Sequence, residues 1–200
     1  MSELERLAAE IAQCTRCLLH RGRTRAVPGE GPLEAEIMFI GEAPGFHEDQ
    51  QGRPFVGAAG KFLDELLETI GLKRDEVFIA NVIKCRPPGN RDPLPEEIEA
   101  CKPFLDRQIE IIRPRLIVTL GRFSMARAFP KGRISHLHGQ PRKLKGVVYY
   151  PMYHPAAALH QPSLRRTLEE DIQRIPEILQ QLDQIPEFEV PAEVEQLSLF

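Results

Sequence analysis

Glu42 lies within, and Glu48 just after, a glycine-bracketed turn, Gly41 to Gly45, that directly follows an apolar run. Glycines at such a place let backbone approach a ligand closely. Phe55 follows in a loop, between Pro54 and Gly57, with no core periodicity around it. It reads either as a satellite of the core or as a ring that stacks on a ligand. Asn81 ends a second apolar run. Its amide both donates and accepts, so it either shapes a turn or reads the hydrogen-bonding edge of a base or amide. His154, ahead of Pro155, either caps a structural element or supplies an N–H to a developing oxyanion. Cys14 and Cys17 form a C-x2-C pair, with Cys85 and Cys101 far downstream. That irregular set suits structural zinc or an iron–sulfur cluster, with four unrelated buried thiols as the plain alternative.

These residues need a scaffold that brings distant segments to one edge, and the apolar pattern supplies it. Residues 36–41 read as a buried strand, and 58–70 as an amphipathic helix with Phe62, Leu63, Leu66, Leu67 and Ile70 on one face. Further strands are expected at 77–80, 116–120 and 147–152. Helices are expected over 95–112, from Gly121 to about Phe129, and from about Ser163, with a kink or restart at Pro176. Alternation of this kind predicts a three-layer α/β/α fold with a central four-stranded parallel sheet. Ligands bind beyond the carboxyl ends of the strands in such sheets, where Glu42, Asn81 and His154 lie. Residues 86–95 form a proline-rich loop, and residues 184–195 read as a linker, so one domain is expected over 1–183 with a flexible tail over 184–200.

The chain has 200 residues, 42% hydrophobic and 28% charged, enough for one domain with a substantial core. No apolar run approaches the roughly 18 residues a membrane span needs, and the polar N-terminus lacks a signal-peptide core. A soluble cytoplasmic protein is predicted. The net charge of −3 argues by itself against a nucleic-acid partner. Its distribution does not. Residues 168–200 hold nine acidic side chains and only Arg174 as a base, a net −8, which leaves the preceding body at +5. The split suggests a basic working face and an acidic tail held clear of phosphates.

Taken in order and spacing, Cys14-Thr-Arg-Cys17, Gly41-Glu-Ala-Pro-Gly45, Gly52-Arg-Pro-Phe-Val-Gly57, Asn81-Val-Ile-Lys-Cys85-Arg-Pro-Pro, Cys101 and His154-Pro-Ala-Ala-Ala-Leu159 resemble the family 4, iron–sulfur, uracil-DNA glycosylases. The resemblance spans about residues 10–165. It implies a uracil-DNA glycosylase-like fold and a [4Fe-4S] cluster on Cys14, Cys17, Cys85 and Cys101. It also implies hydrolysis of the N-glycosidic bond of deoxyuridine in single- or double-stranded DNA, which begins base-excision repair. Phe55 would then stack on a flipped uracil, and Asn81 would read its O4 and N3–H. Backbone around Gly41, Glu42 and Ala43 would add contacts, and His154 would donate to O2 as the base leaves.

In the best-known uracil glycosylase family an aspartate stands where this chain has Ala43, and the tyrosine that blocks the thymine methyl is replaced by Gly45. The resemblance leaves the water-positioning group open, with Glu42 and Glu48 as the candidates. Leu159 is expected as the only apolar wedge to fill the emptied stack. Arg86, Arg91, Arg165 and Arg166 are expected at phosphates. The last residues, Gln196-Leu197-Ser198-Leu199-Phe200, resemble the bacterial sliding-clamp motif. Gln196 would hydrogen-bond and Leu197, Leu199 and Phe200 would enter an apolar groove. A monomer is expected. Two rival readings are a related glycosylase for another deaminated base, and a non-catalytic protein that binds DNA and the clamp.

Overall fold

The computed structural model describes residues 1–188. Its centre is a sheet of strands β1 (Ile37–Gly41), β2 (Phe78–Asn81), β3 (Leu116–Leu120), β4 (Arg142–Leu144) and β5 (Val147–Met152), in the order β2-β1-β3-β5-β4. The β1–β2, β1–β3 and β3–β5 pairs are parallel, as expected. β4 is an addition, a three-residue antiparallel edge on β5. Its polar Arg-Lys-Leu sequence gives no apolar run to read, and it is only half-buried. An edge strand of this kind is held by its backbone pairing rather than by an apolar face.

The strands divide their side chains between two layers, because successive residues point to opposite faces. Ile37, Phe39, Leu116, Val118, Val148 and Tyr150 pack with α3 (Ala58–Thr69), α8 (Pro162–Ile172) and α9 (Ile175–Gln180). Met38, Ile40, Phe78, Ala80 and Ile117 pack on the other face with Leu105 and Ile112 of α4 (Pro95–Ile112). Leu7 and Ile11 of α1 (Glu3–Ala12) close over Phe104 of α4. α2 (Phe46–Gln51), α5 (Arg122–Ala126), α6 (Ile134–Leu137) and α7 (Pro155–His160) are short and lie in the connections. No helix among the described residues is long and apolar enough to cross a membrane.

At the C-terminal end the described residues are packed against the rest of the fold. The acidic stretch does not begin at a fold boundary, because Leu168, Ile172, Ile175 and Ile178 are core residues. Its charges lie on the solvent face of helices that carry the sheet's cover, with Glu169 and Glu170 paired to Arg165 and Arg166. Residues just beyond 183 also touch the sheet edge, where Glu187 bridges Lys143. Phe188 donates its N–H to the Lys143 carbonyl at 2.7 Å, and its ring meets Phe129 edge-on at 5.6 Å between centroids.

Candidate active site

The carboxyl ends of β1 and β2 lie side by side, with Gly41 in register with Asn81. β5 ends at Met152, two residues before His154. A cavity of about 400 Å³ opens over these ends, in the range that holds a small ligand. Glu42, Gly45, Glu48, Phe55, Asn81 and His154 line it together. Asn90, Arg91, Asp92 and Pro93 of the proline-rich loop, and His160 of α7, complete its walls. Arg91 is expected at a phosphate; the others carry no sequence signal, since a polar loop bears no mark of which cavity it covers.

Asn81 is 2% exposed, yet its Oδ1 has no hydrogen-bond partner. A buried, unsatisfied amide oxygen in a cavity wall costs about 1–3 kcal/mol until something donates to it. The strand end beneath it is fixed: Lys84 Nζ donates to the Asn81 carbonyl at 2.9 Å and to Gln108 Oε1 at 2.7 Å. Gly41 has to be glycine for the same reason. A Cβ there would lie 2.5 Å from Asn81 Oδ1 and 2.6 Å from the Phe55 ring.

Phe55 is both a core residue and a cavity wall, so the two sequence readings of it coincide. Its backbone is left-handed, φ +50°, which a bulky side chain rarely adopts. Three groups hold it there. Arg74 donates to the Phe55 carbonyl at 2.9 Å and to the Pro54 carbonyl, and is itself paired with Glu30 and Asp64. Glu48 Oε1 accepts from Val56 N at 2.8 Å and Gly57 N at 2.9 Å. Gly60 of α3 packs against the Phe55 backbone with no room for a Cβ. The Glu48 carboxylate also accepts from Gly45 N at 3.1 Å, so it ties the two motif loops together.

His154 caps α7. Its Nδ1 accepts from Ala156 N at 3.1 Å. That bond assigns the ring proton to Nε2 and leaves an N–H free to donate. Burial lowers its pKa to about 4 against the opposing pull of Glu48, so the ring is neutral near pH 7. The cap and the donor are therefore one arrangement rather than alternatives.

Glu42 differs from Glu48. Burial pushes its carboxyl above the ordinary carboxylate range, and the Phe123 N–H opposes that shift. Oε1 accepts this bond at 3.1 Å. Gly121, at φ +95°, is packed against the carboxylate with no space for a side chain.

The surface residues fall outside this group, with one exception. Arg91 lines the cavity but is bound through both nitrogens to Glu97, at 2.6 and 2.9 Å. Arg165 is paired with Glu65 and Glu169, and Arg166 with Glu170. Exposed pairs of this sort are weak and exchangeable. Arg86 donates to Asn90 Oδ1 at 2.6 Å. Leu159 is 48% exposed, and Leu18 and Phe46 are exposed as well.

Cys14, Cys17, Cys85 and Cys101 line one narrow cavity between the N-terminal segment, the proline-rich loop and α4. Among the described residues no three His, Cys, Asp or Glu side chains converge as a single ion would require. Burial pushes Cys17, Cys85 and Cys101 upward, Cys101 to about 11, so a cationic centre would be needed to hold these three as thiolates. Polar donors already face them: Arg23 Nη1 reaches Cys85 Sγ at 3.1 Å, and Lys84 N reaches Cys101 Sγ at 3.5 Å. The proposed clamp motif, Gln196, Leu197, Leu199 and Phe200, lies outside the described residues.

A profile of the "Uracil DNA glycosylase superfamily" matches residues 28–180. The chain is 53% identical over 188 residues to the type-4 uracil-DNA glycosylase of Sulfurisphaera tokodaii, a match covering 89% of this chain and 86% of that one. Identity to the type-4 uracil-DNA glycosylase of Saccharolobus solfataricus is 49%, covering 90% and 88%. To that of Archaeoglobus fulgidus it is 47%, covering 89% and 94%.

Proposed function

The chain belongs to the uracil-DNA glycosylase superfamily, and on that premise we propose that it hydrolyses the N-glycosidic bond of deoxyuridine in DNA. Uracil is released, an abasic site remains, and base-excision repair begins. The observation that carries this reading is the unpartnered Oδ1 of Asn81 in the cavity that Phe55 and His154 also line.

A uracil inside a duplex reaches the cavity by flipping, at a cost of a few kcal/mol that is smaller in a mismatch or a single strand. Phe55 stacks on the flipped ring. Asn81 Oδ1 accepts from N3–H and its NH2 donates to O4. Cytosine reverses that donor–acceptor pattern, leaves the amide unpaired, and is rejected. Bond breaking puts negative charge on the leaving base, and the neutral His154 donates its Nε2–H to O2. One preorganised donor of this kind is worth roughly 3–4 kcal/mol. Glu42 orients the attacking water, because the Glu48 carboxylate is committed to three backbone N–H groups. Leu159 enters the emptied stack, and Arg86, Arg91, Arg165 and Arg166 meet phosphates.

The donor set of Cys14, Cys17, Cys85 and Cys101, four thiols lining one cavity, fits a [4Fe-4S] cluster, in which each cysteine thiolate would hold one iron. When bound, it fastens the N-terminal segment and proline-rich loop to α4. Gln196 to Phe200 are proposed to engage a sliding clamp, on sequence alone, by a cytoplasmic monomer. The test is incubation with single-stranded and duplex oligonucleotides bearing one uracil, hypoxanthine or xanthine, then alkaline cleavage. Breakage at uracil is expected; intact strands in both uracil substrates would overturn the reading.

A further inference from the structure

Phe46 opens α2, directly after the Gly41–Gly45 turn, and is 51% exposed. It does not line the base cavity. Arg86 covers part of the ring, its guanidinium carbon 5.1 Å from the centroid, within cation–π range. His47 meets the ring edge-on, with centroids 5.4 Å apart. The same Arg86 bonds Asn90, which lines the cavity. An aromatic ring with a cation beside it therefore stands on the cavity's rim, joined to the wall through Gly45 on one side and Asn90 on the other. Unlike Arg91, Arg165 and Arg166, Arg86 has no carboxylate partner among the described residues.

We propose that Phe46 and Arg86 form a nucleotide subsite outside the cavity, which takes the nucleotide next to the flipped uracil in the same strand. The proposal rests on the reading of the chain as a uracil-DNA glycosylase. Flipping strips the neighbouring base of one stacking partner. The exposed Phe46 ring replaces that partner for one flanking base, Leu159 standing against the other, and the Arg86 guanidinium is charge-complementary to the adjoining phosphate. Stacking on an aromatic tolerates any base, so the subsite adds affinity without a sequence preference.

The chain contains no tryptophan, so Phe46→Trp installs a single indole reporter at the subsite. Its emission is expected to be quenched when an oligonucleotide with one central uracil binds, and unchanged by free uracil. Phe46→Ala is expected to raise the half-saturating oligonucleotide concentration about 5- to 150-fold in single-turnover excision. The rate at saturation should move far less, and Phe46→Trp should restore affinity. An oligonucleotide that binds by anisotropy while the indole emission stays constant would overturn the subsite, as would wild-type half-saturation in Phe46→Ala. Wild-type protein run in parallel separates the two claims. Uracil release without quenching sinks the subsite alone, whereas no release from any oligonucleotide sinks the functional reading.

Discussion

The Phe55 ring lies against the His154 imidazole, with centroids 5.4 Å apart and planes 21° from parallel. Residues separated by almost half the chain thus form one wall of the cavity, and each constrains the other's plane. The base-stacking ring and the anion-facing donor are positioned as a unit.

The pH behaviour follows from this burial. The His154 pKa is lowered from 6.5 to about 4, so the ring's contribution to stability is complete above about 6.5 and is lost as pH falls toward 4. Melting temperature measured against pH is expected to decline over that window in the wild type, and less steeply in His154→Gln. The excision rate should show no inflection near 6.5 arising from this residue. His154→Ala at neutral pH should slow single-turnover excision by roughly 10²–10³-fold.

Asn81 and Gly41 make a paired prediction. Asn81→Asp inverts part of the donor–acceptor pattern, so uracil excision should fall at least about 10²-fold while cleavage at cytosine rises above the wild-type background. Gly41→Ala pushes a methyl group into the Asn81 amide and the Phe55 ring, and should weaken uracil competition more than it lowers the melting temperature. Unchanged base selectivity in Asn81→Asp would remove Asn81 from base reading.

The two carboxylates should separate by readout. Glu42→Gln is expected to slow excision with the melting temperature nearly intact. Glu48→Gln weakens an acceptor of three backbone N–H groups and should lower stability by about 1–3 kcal/mol, measured by denaturant unfolding. A slow but equally stable Glu48→Gln would exchange their roles.

Metal removal gives a prediction of its own. Protein purified in air should be coloured, with broad visible absorbance, iron and labile sulfide. Cys101→Ser or a strong iron chelator should bleach it and raise proteolysis within the proline-rich loop. A colourless protein holding stoichiometric zinc would contradict the cluster.

The parallel strands are legible because each is an apolar run, stopped by glycine or asparagine in β1, β2 and β3 and by His154-Pro155 just after β5, and burial on both faces demands such runs. β4 is not, since an edge strand of Arg-Lys-Leu lacks that signature. The cavity residues Glu42, Asn81 and His154 are legible from their place at strand ends, and Phe55 from a loop position without core periodicity. What holds them is not. Arg74 reaches Phe55 nineteen positions back and Glu30 forty-four positions back, and no local pattern announces so distant a bond. The same holds for Glu48, whose role depends on Val56 and Gly57 turning back toward it. Phe46 has no signal in the sequence, because one aromatic in a polar helix carries no periodicity.

The left-handed backbone at Phe55 places two demands on one position that no ordinary residue meets together. Glycine would relax the backbone and delete the ring, while every other aromatic keeps the ring and inherits the strain, on the order of 1–3 kcal/mol. The position is therefore an evolutionary dead end for single steps. Substitutions that relieve it should surface instead at Arg74, Glu30 or Asp64, remote from the cavity. Selection for greater thermal tolerance would then act on that remote latch rather than on the residue that touches the base.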